Sequence, residues 1–202
     1  MNSICKSFAK SPPILDQLSL RVESGTRIGI FGKNGVGKST LLRIIATLVQ
    51  PDKGEIYWNG TLVGFDHPNW RKKIRYLSGE ENGFFSQLTG YDNLDFWFAQ
   101  YSLHFDRSNI PELLRPLMEK EYQLYSSGMK QMLALYRAIC TEPSILLLDE
   151  PFKHLDSENR ALTMELIKTH CEKAAILFTG HSLPDLANIC NHSYELKNGI
   201  LF

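Results

Sequence analysis

The sequence predicts an α/β fold with a mixed core sheet, an antiparallel β edge region and a small inserted α-helical lobe. Three observations carry that reading. Apolar segments at residues 26–31, 74–77, 144–148 and 174–179 alternate with helical patterns, the order that builds a mainly parallel sheet. Hairpin signals at 56–63 and 194–202 supply antiparallel strands; in the first, Asn59-Gly60 suits the two positive-φ positions of a tight turn. Between residues 87 and 123 the pattern turns helical and aromatic, which sets a lobe apart from the sheet.

Taken in order, residues 18–22 alternate apolar and polar as a half-exposed strand, and Glu23-Ser24-Gly25 turns the chain into a buried strand at 27–31. The run 41–46 has the apolar density of a helix packed on a sheet, and Pro51-Asp52-Lys53-Gly54 reads as a turn. After the hairpin, a loop at His67-Pro68-Asn69 leads into Trp70-Arg71-Lys72-Lys73-Ile74-Arg75, a basic stretch read as a solvated face. Residues 93–101 carry an aromatic stripe, read as lobe core, and Asn109 with Pro111 opens a second helix at 112–115. Helices follow at 125–140, 157–170 and 183–190, the last started by Ser182 and Pro184. They alternate with the strands at 144–148 and 174–179.

A length of 202 residues suits one domain with an inserted lobe, and 43% hydrophobic with 22% charged residues is an ordinary globular composition. The core is expected at 1–86 and 124–202, the lobe at 87–123. Basic and acidic residues balance at 22 each, so net charge offers no reason to expect nucleic acid as a partner. Cys5, Cys140, Cys171 and Cys190 form no C-x-x-C pair, and reduced thiols are expected. The N-terminus lacks the apolar centre of a signal peptide. No apolar run approaches the ~18 residues of a spanning helix, so any membrane span is expected in another chain.

Chemistry concentrates in three places. Gly32-Lys33-Asn34-Gly35-Val36-Gly37-Lys38-Ser39-Thr40 fits G-x-x-x-x-G-K-[ST] between a strand and a helix. That context turns backbone N–H groups and a helix N-terminus toward an anion, with Lys38 for the β- and γ-phosphates and the Ser39 hydroxyl for Mg²⁺. A nucleoside triphosphate is the expected ligand. Second, Ile145-Leu146-Leu147-Leu148-Asp149-Glu150 is a buried strand ending in two acids, placed where α/β ligands sit. Asp149 is read as a metal ligand, direct or through water, and Glu150 as general base. Third, Tyr125-Ser126-Ser127-Gly128-Met129-Lys130-Gln131 is a small-residue loop opening a helix, which is a plain cap or a second anion site.

The order of these motifs resembles the nucleotide-binding subunits of ATP-binding cassette (ABC) transporters, P-loop NTPases, over essentially the whole chain. Ser126 and Gly128 match that family's Leu-Ser-Gly-Gly-Gln signature; Tyr125, Ser127 and Met129 depart from it. The run Tyr-Ser-Ser-Gly-Met-Lys-Gln is similar to a variant frequent in bacterial exporters of polysaccharides, drugs and related compounds. The resemblance implies that Phe8 stacks on adenine and that Leu155-Asp156 ends the D-loop, with Lys153-His154 in place of the usual small residues. It implies that His181 contacts the γ-phosphate. Where the family places a sensor glutamine the alignment puts Gly79, with Glu80 beside it as a substitute acting through a metal-bound water. The chain is expected to begin almost at Phe8, with little of a leading strand.

What the resemblance implies is an ATPase using ATP and Mg²⁺. One copy supplies the phosphate loop, Asp149, Glu150 and His181, and a second copy supplies Ser126 and Gly128, as in a homodimer. Such a subunit works beneath separate transmembrane permease subunits, peripheral on the cytoplasmic face of the membrane. Phe84 and Phe85 read either as an apolar docking contact or as residues buried in the lobe. Two other uses stay open from sequence: a soluble ABC ATPase acting on nucleic acid or ribosomes, and a degenerate subunit that binds ATP but cleaves it weakly.

Overall fold

The computed structural model describes residues 1–8, 12–64, 68–78, 83–101, 103–153, 155–181 and 189–202. The chain opens with β1 (Asn2–Lys6), which pairs antiparallel with β2 (Leu15–Leu18) and, on its other edge, with β4 (Lys53–Glu55). Between these partners lie β3 (Arg27–Phe31) and α1 (Lys38–Ile45). The hairpin of β5 (Tyr57–Trp58) and β6 (Thr61–Leu62) turns at Asn59 and Gly60, with φ of 48° and 79°, the conformation its Asn-Gly signal predicts. Then come α2 (Pro68–Lys73), β7 (Ile74–Leu77), α3 (Gly90–Gln100), α4 (Arg115–Met118) and α5 (Ser127–Ile139). The remainder is β8 (Ile145–Leu148), α6 (Ser157–His170), β9 (Ala175–Gly180), β10 (His192–Lys197) and β11 (Ile200–Leu201).

The main sheet has the order β11-β10-β3-β9-β8-β7, parallel except for β11 at its edge. Both faces are covered, and the period of two along the central strands divides the core. From β8, Leu146 and Leu148 enter the core on the side of α5 and α6, while Ile145 and Leu147 enter the core on the side of α1. In β9, Ile176 and Phe178 make the same division against Ala175 and Leu177. This is why those segments read as continuous apolar runs: each successive side chain meets a different buried layer.

Four expectations are corrected. A leading strand is present, since β1 takes residues 2–6. The strand expected at 18–22 ends at Leu18, because β1 offers no further ladder; Leu20 N–H reaches the Met1 carbonyl at 3.1 Å and pairing stops there. Lys53 and Gly54 belong to β4 rather than to a turn. The second lobe helix begins at Arg115, not at 112, with residues 112–114 forming a turn closed by Leu114 N–H to the Pro111 carbonyl. Pro116 explains the shift: its ring excludes a helix running through it from upstream but suits a first turn. Residues 183–188 of the helix expected over 183–190 lie outside the described residues, as do His67, Gly79, Glu80, Glu81 and His154.

The lobe is held by one buried polar side chain. Asn93, fully buried in α3, donates to the carbonyls of Phe85, Leu88 and Thr89 and accepts from Phe85 N–H at 2.7 Å. Every polar atom of the amide is thereby partnered, and the loop ahead of α3 is stitched to it.

Leu146 is fully buried in β8, so Leu146→Ala is expected to cost about 2–5 kcal/mol. Urea unfolding checks this as a lowered midpoint at an unchanged slope.

Candidate functional site

The register of the parallel strands assembles the site. Phe31 lies opposite Gly180, and Leu148 lies opposite both Phe178 and Leu77. The residues that follow, Gly32, Asp149-Glu150 and His181, therefore leave the sheet at one carboxyl edge, where ligands of α/β sheets bind.

The loop from Gly32 to Gly37 depends on backbone conformations that side chains resist. Gly32 has φ 153°, and a Cβ there would stand 2.6 Å from the Leu196 carbonyl oxygen of β10. Gly37, at φ 111°, caps α1, and a Cβ would meet Ile14 at 3.0 Å. Lys38 is buried, its ammonium donating to the carbonyls of Gly32 at 2.7 Å and Lys33 at 3.0 Å. Desolvation lowers its pKa, partly offset by the charges of Glu150 and Asp149. A cavity of about 130 Å³ opens here, lined by Ile14, Asn34, Gly35, Gly37, Lys38, Ser39, Thr40 and Glu150. A larger cavity, about 1280 Å³, lies among Trp58, Trp70, Ile145 and Ala175, at the amino ends of β8 and β9. Its lining includes neither the phosphate loop, nor Asp149 or Glu150, nor residues 125–131.

Asp149 is buried, and both its oxygens are engaged by hydroxyls. Thr179 donates to Oδ1 at 2.6 Å and Tyr76 donates to Oδ2 at 3.0 Å. Thr179 also accepts the Glu150 N–H at 2.9 Å, so one hydroxyl on β9 fixes both acids. Glu150 itself sits at φ +50°, an unusual conformation for a non-glycine residue and the kind of local strain that collects at functional sites. Its carboxylate meets His181 Nε2 at 3.3 Å through Oε1 and Lys153 Nζ at 3.5 Å through Oε2. Tyr76 is half-buried, and burial pushes its phenol up to about 12, so it remains a donor at neutral pH. Arg43 Nε donates to the same phenol oxygen at 3.3 Å.

The structure thus gathers Lys38, Ser39, Asp149, Glu150 and His181 at the sheet edge. Tyr76, Thr179 and Arg43 escaped the sequence reading. Alternation along a strand marks buried faces but does not say which buried hydroxyl meets which carboxylate. Oxygen donors such as the Ser39 hydroxyl and the Asp149 carboxylate suit a hard cation like Mg²⁺. Among the described residues no cluster of three or more His, Cys, Asp or Glu could cage a metal alone.

The other expected residues lie apart from the cavity lining. Ser126 caps α5, accepting the Met129 N–H at 3.2 Å, while the Met129 sulfur accepts the Ser126 N–H at 3.4 Å. Methionine thus fills the capping-box place that a glutamine usually takes. Tyr125 is buried, with its hydroxyl bonded to the Leu117 carbonyl, which ties the start of α5 to the lobe. Asp156 caps α6 through Asn159 N–H at 2.8 Å. Phe8 is 49% exposed, beyond Lys6, whose ammonium lies over its ring and pairs with Asp52 at 2.8 Å. The four cysteines are free, and burial pushes Cys140, Cys171 and Cys190 each up to about 11, so these three stay protonated at neutral pH.

Known proteins resemble this chain over most of its length. Residues 15–153 match the family described as ABC transporter. The chain is 32% identical over 194 residues to the ABC transporter ATP-binding protein NatA of Bacillus subtilis (strain 168), covering 90% of this chain and 77% of that protein. It is 34% identical over 197 residues to the thiamine import ATP-binding protein ThiQ of Shigella flexneri serotype 5b (strain 8401), covering 91% and 82%. Two further Bacillus subtilis relatives are longer, and the chain spans 63% and 65% of them. A solved ATP-binding subunit of an ABC transporter superposes with a TM-score of 0.84 at 25% identity, over 99% of this chain and 86% of that one.

Thr179→Val removes the acceptor of the Glu150 N–H and the donor to Asp149, and is expected to cost about 1–3 kcal/mol. Thr179→Ser keeps both bonds and is expected to retain most of that stability. Urea unfolding of the pair makes the comparison.

Proposed function

This chain belongs to the ABC transporter family as an ATP-binding ATPase subunit, and from that premise we propose that it powers export through separate membrane subunits by ATP-driven dimerisation. The observation that carries the reading is the cavity lining. It holds the phosphate loop and Glu150, yet neither Ser126 nor Gly128. In this reading one chain presents half of a composite site, and a second copy supplies the signature residues. A nucleotide polyanion between two such surfaces favours the closed pair, and its cleavage removes that preference.

In this reading the whole chain acts as one unit, with residues 87–123 as the inserted lobe. The loop N–H groups and the start of α1 hold the phosphates. Lys38, which spends two donors on Gly32 and Lys33 carbonyls, has a third for phosphate oxygen. Glu150 takes a proton from the attacking water as its oxygen bonds the γ-phosphorus and the bond to the β-phosphate bridging oxygen breaks, giving ADP and phosphate. His181, already against Glu150, would bond the γ-phosphate. Ser39 and Asp149 would hold Mg²⁺, which when bound neutralises charge on the phosphate oxygens. Phe8 would stack on adenine, and Asp156 would line the facing subunit.

Transport use is supported by the lobe surface. Phe85 and Phe96 are 49% and 41% exposed and pack edge to face with ring centroids 4.7 Å apart. An exposed aromatic pair of this kind suits docking of a partner. Among the described residues no helix is long and apolar enough to cross a membrane; in this reading the chain is a peripheral subunit on the cytoplasmic side of permease chains. Export is favoured by the Tyr-Ser-Ser-Gly-Met-Lys-Gln signature run.

Glu150→Gln is expected to lower ATP turnover by roughly 10²–10⁴-fold while retaining ATP and trapping a dimer in size-exclusion chromatography. Turnover near that of the parent would remove Glu150 from the base role. Lys38→Ala is expected to lose nucleotide binding, read with a fluorescent ATP analogue, through loss of a charge-assisted phosphate contact. Unaltered binding by that variant would overturn the phosphate-loop assignment.

A further inference from the structure

We propose that Tyr76, backed by Arg43, is a positioning residue for the metal-side carboxylate of Asp149. The proposal rests on the reading of Asp149 as the acid that faces Mg²⁺. A carboxylate bonded at one oxygen still rotates about its side-chain torsion. Asp149 is bonded at both: Thr179 from β9 holds Oδ1 at 2.6 Å and Tyr76 from β7 holds Oδ2 at 3.0 Å. Those two strands flank β8 on opposite sides, so the plane of the carboxylate is clamped from left and right. Each oxygen keeps a further lone pair for an ion or its water.

Arg43 sets the polarity of the clamp. A guanidinium only donates, so its Nε, 3.3 Å from the phenol oxygen, occupies the acceptor side of Tyr76. The single phenol proton is then directed to Asp149. Arg43 belongs to α1, the helix whose first residues are Lys38 and Ser39. One chain of hydrogen bonds consequently joins the helix that carries the hydroxyl ligand to the strand that carries the carboxylate ligand. The ring of Tyr76 packs against the core on the α1 side, so Tyr76→Phe deletes the hydroxyl and keeps the packing. Support of a ligating carboxylate by such outer groups commonly governs metal affinity.

The test uses the full chain carrying Glu150→Gln, which prevents turnover during titration. Mn²⁺ serves as the probe, followed by electron paramagnetic resonance at saturating ATP, and ATP affinity is measured separately in chelator. Adding Tyr76→Phe is expected to weaken Mn²⁺ binding on the order of tenfold, with metal-free ATP affinity within about twofold of the parent. Adding Arg43→Gln instead, at an exposed position, is expected to give a smaller loss of the same kind. Mn²⁺ affinity unchanged in both variants overturns the proposal, and so does a parallel fall in metal-free ATP affinity, which marks general distortion. A Glu150→Gln parent that binds ATP equally with Mn²⁺ and in chelator overturns the metal reading of Asp149 itself. Metal dependence in the parent together with an unchanged Mn²⁺ affinity in Tyr76→Phe sinks only the role of Tyr76.

Discussion

The parallel register of β3, β9 and β8 is the constraint on which the rest of the molecule depends. Because Phe31 faces Gly180 and Leu148 faces Phe178, β3 and β9 finish level and β8 ends two residues short of them at the same edge. Their next residues are the phosphate loop, the paired acids and the histidine. A register slip of one residue would turn every side chain of the slipped strand to the other face. It would exchange the two buried layers of β8 and β9 as well as misplace the acids. Fully burying a leucine is worth roughly 1.5–3 kcal/mol, so the apolar alternation that builds the core also sets the geometry of the site.

Opposite charges meet at this edge. The Lys38 ammonium is buried on carbonyl oxygens, while Asp149 and Glu150 stand close enough to act on its protonation. Glu150 is flanked by His181 and Lys153, and its backbone is held at positive φ by the bond from its N–H to Thr179. The departure from small residues at position 153 thus has a physical consequence, since it adds a cation beside the Glu150 carboxylate. In the start of α5, Met129 for glutamine is accommodated because sulfur still accepts the cap N–H. Tyr125 reaches into the lobe through its hydroxyl. The departures from the family's common signature are therefore locally satisfied.

Much of this was legible in the order of residues. The strand-loop-helix around residues 32–40, the acidic end of β8, the Asn-Gly hairpin and the limits of α6 all follow from local rules: glycine's access to positive φ, apolar runs of strand length, and an aspartate cap at 156. Where the reading slipped, the cause was a partner distant in sequence or a proline effect. The strand at 15–18 is bounded by its ladder with β1, and α4 starts late because of Pro116. β10 was foreseen as half of a hairpin, yet it also joins β3 in parallel, a pairing across more than 160 residues that no local pattern encodes.

By itself the sequence determined the phosphate-binding loop, the paired acids, the class of fold and the family. Each of these resides in residue types at fixed short spacing, where backbone geometry leaves few alternatives. Only the tertiary structure decided that Thr179 and Tyr76 hold the two oxygens of Asp149, that Arg43 orients Tyr76, and that Asn93 stitches the lobe. A hydroxyl or an amide can bond many partners, and the choice among them is made by which strands lie side by side.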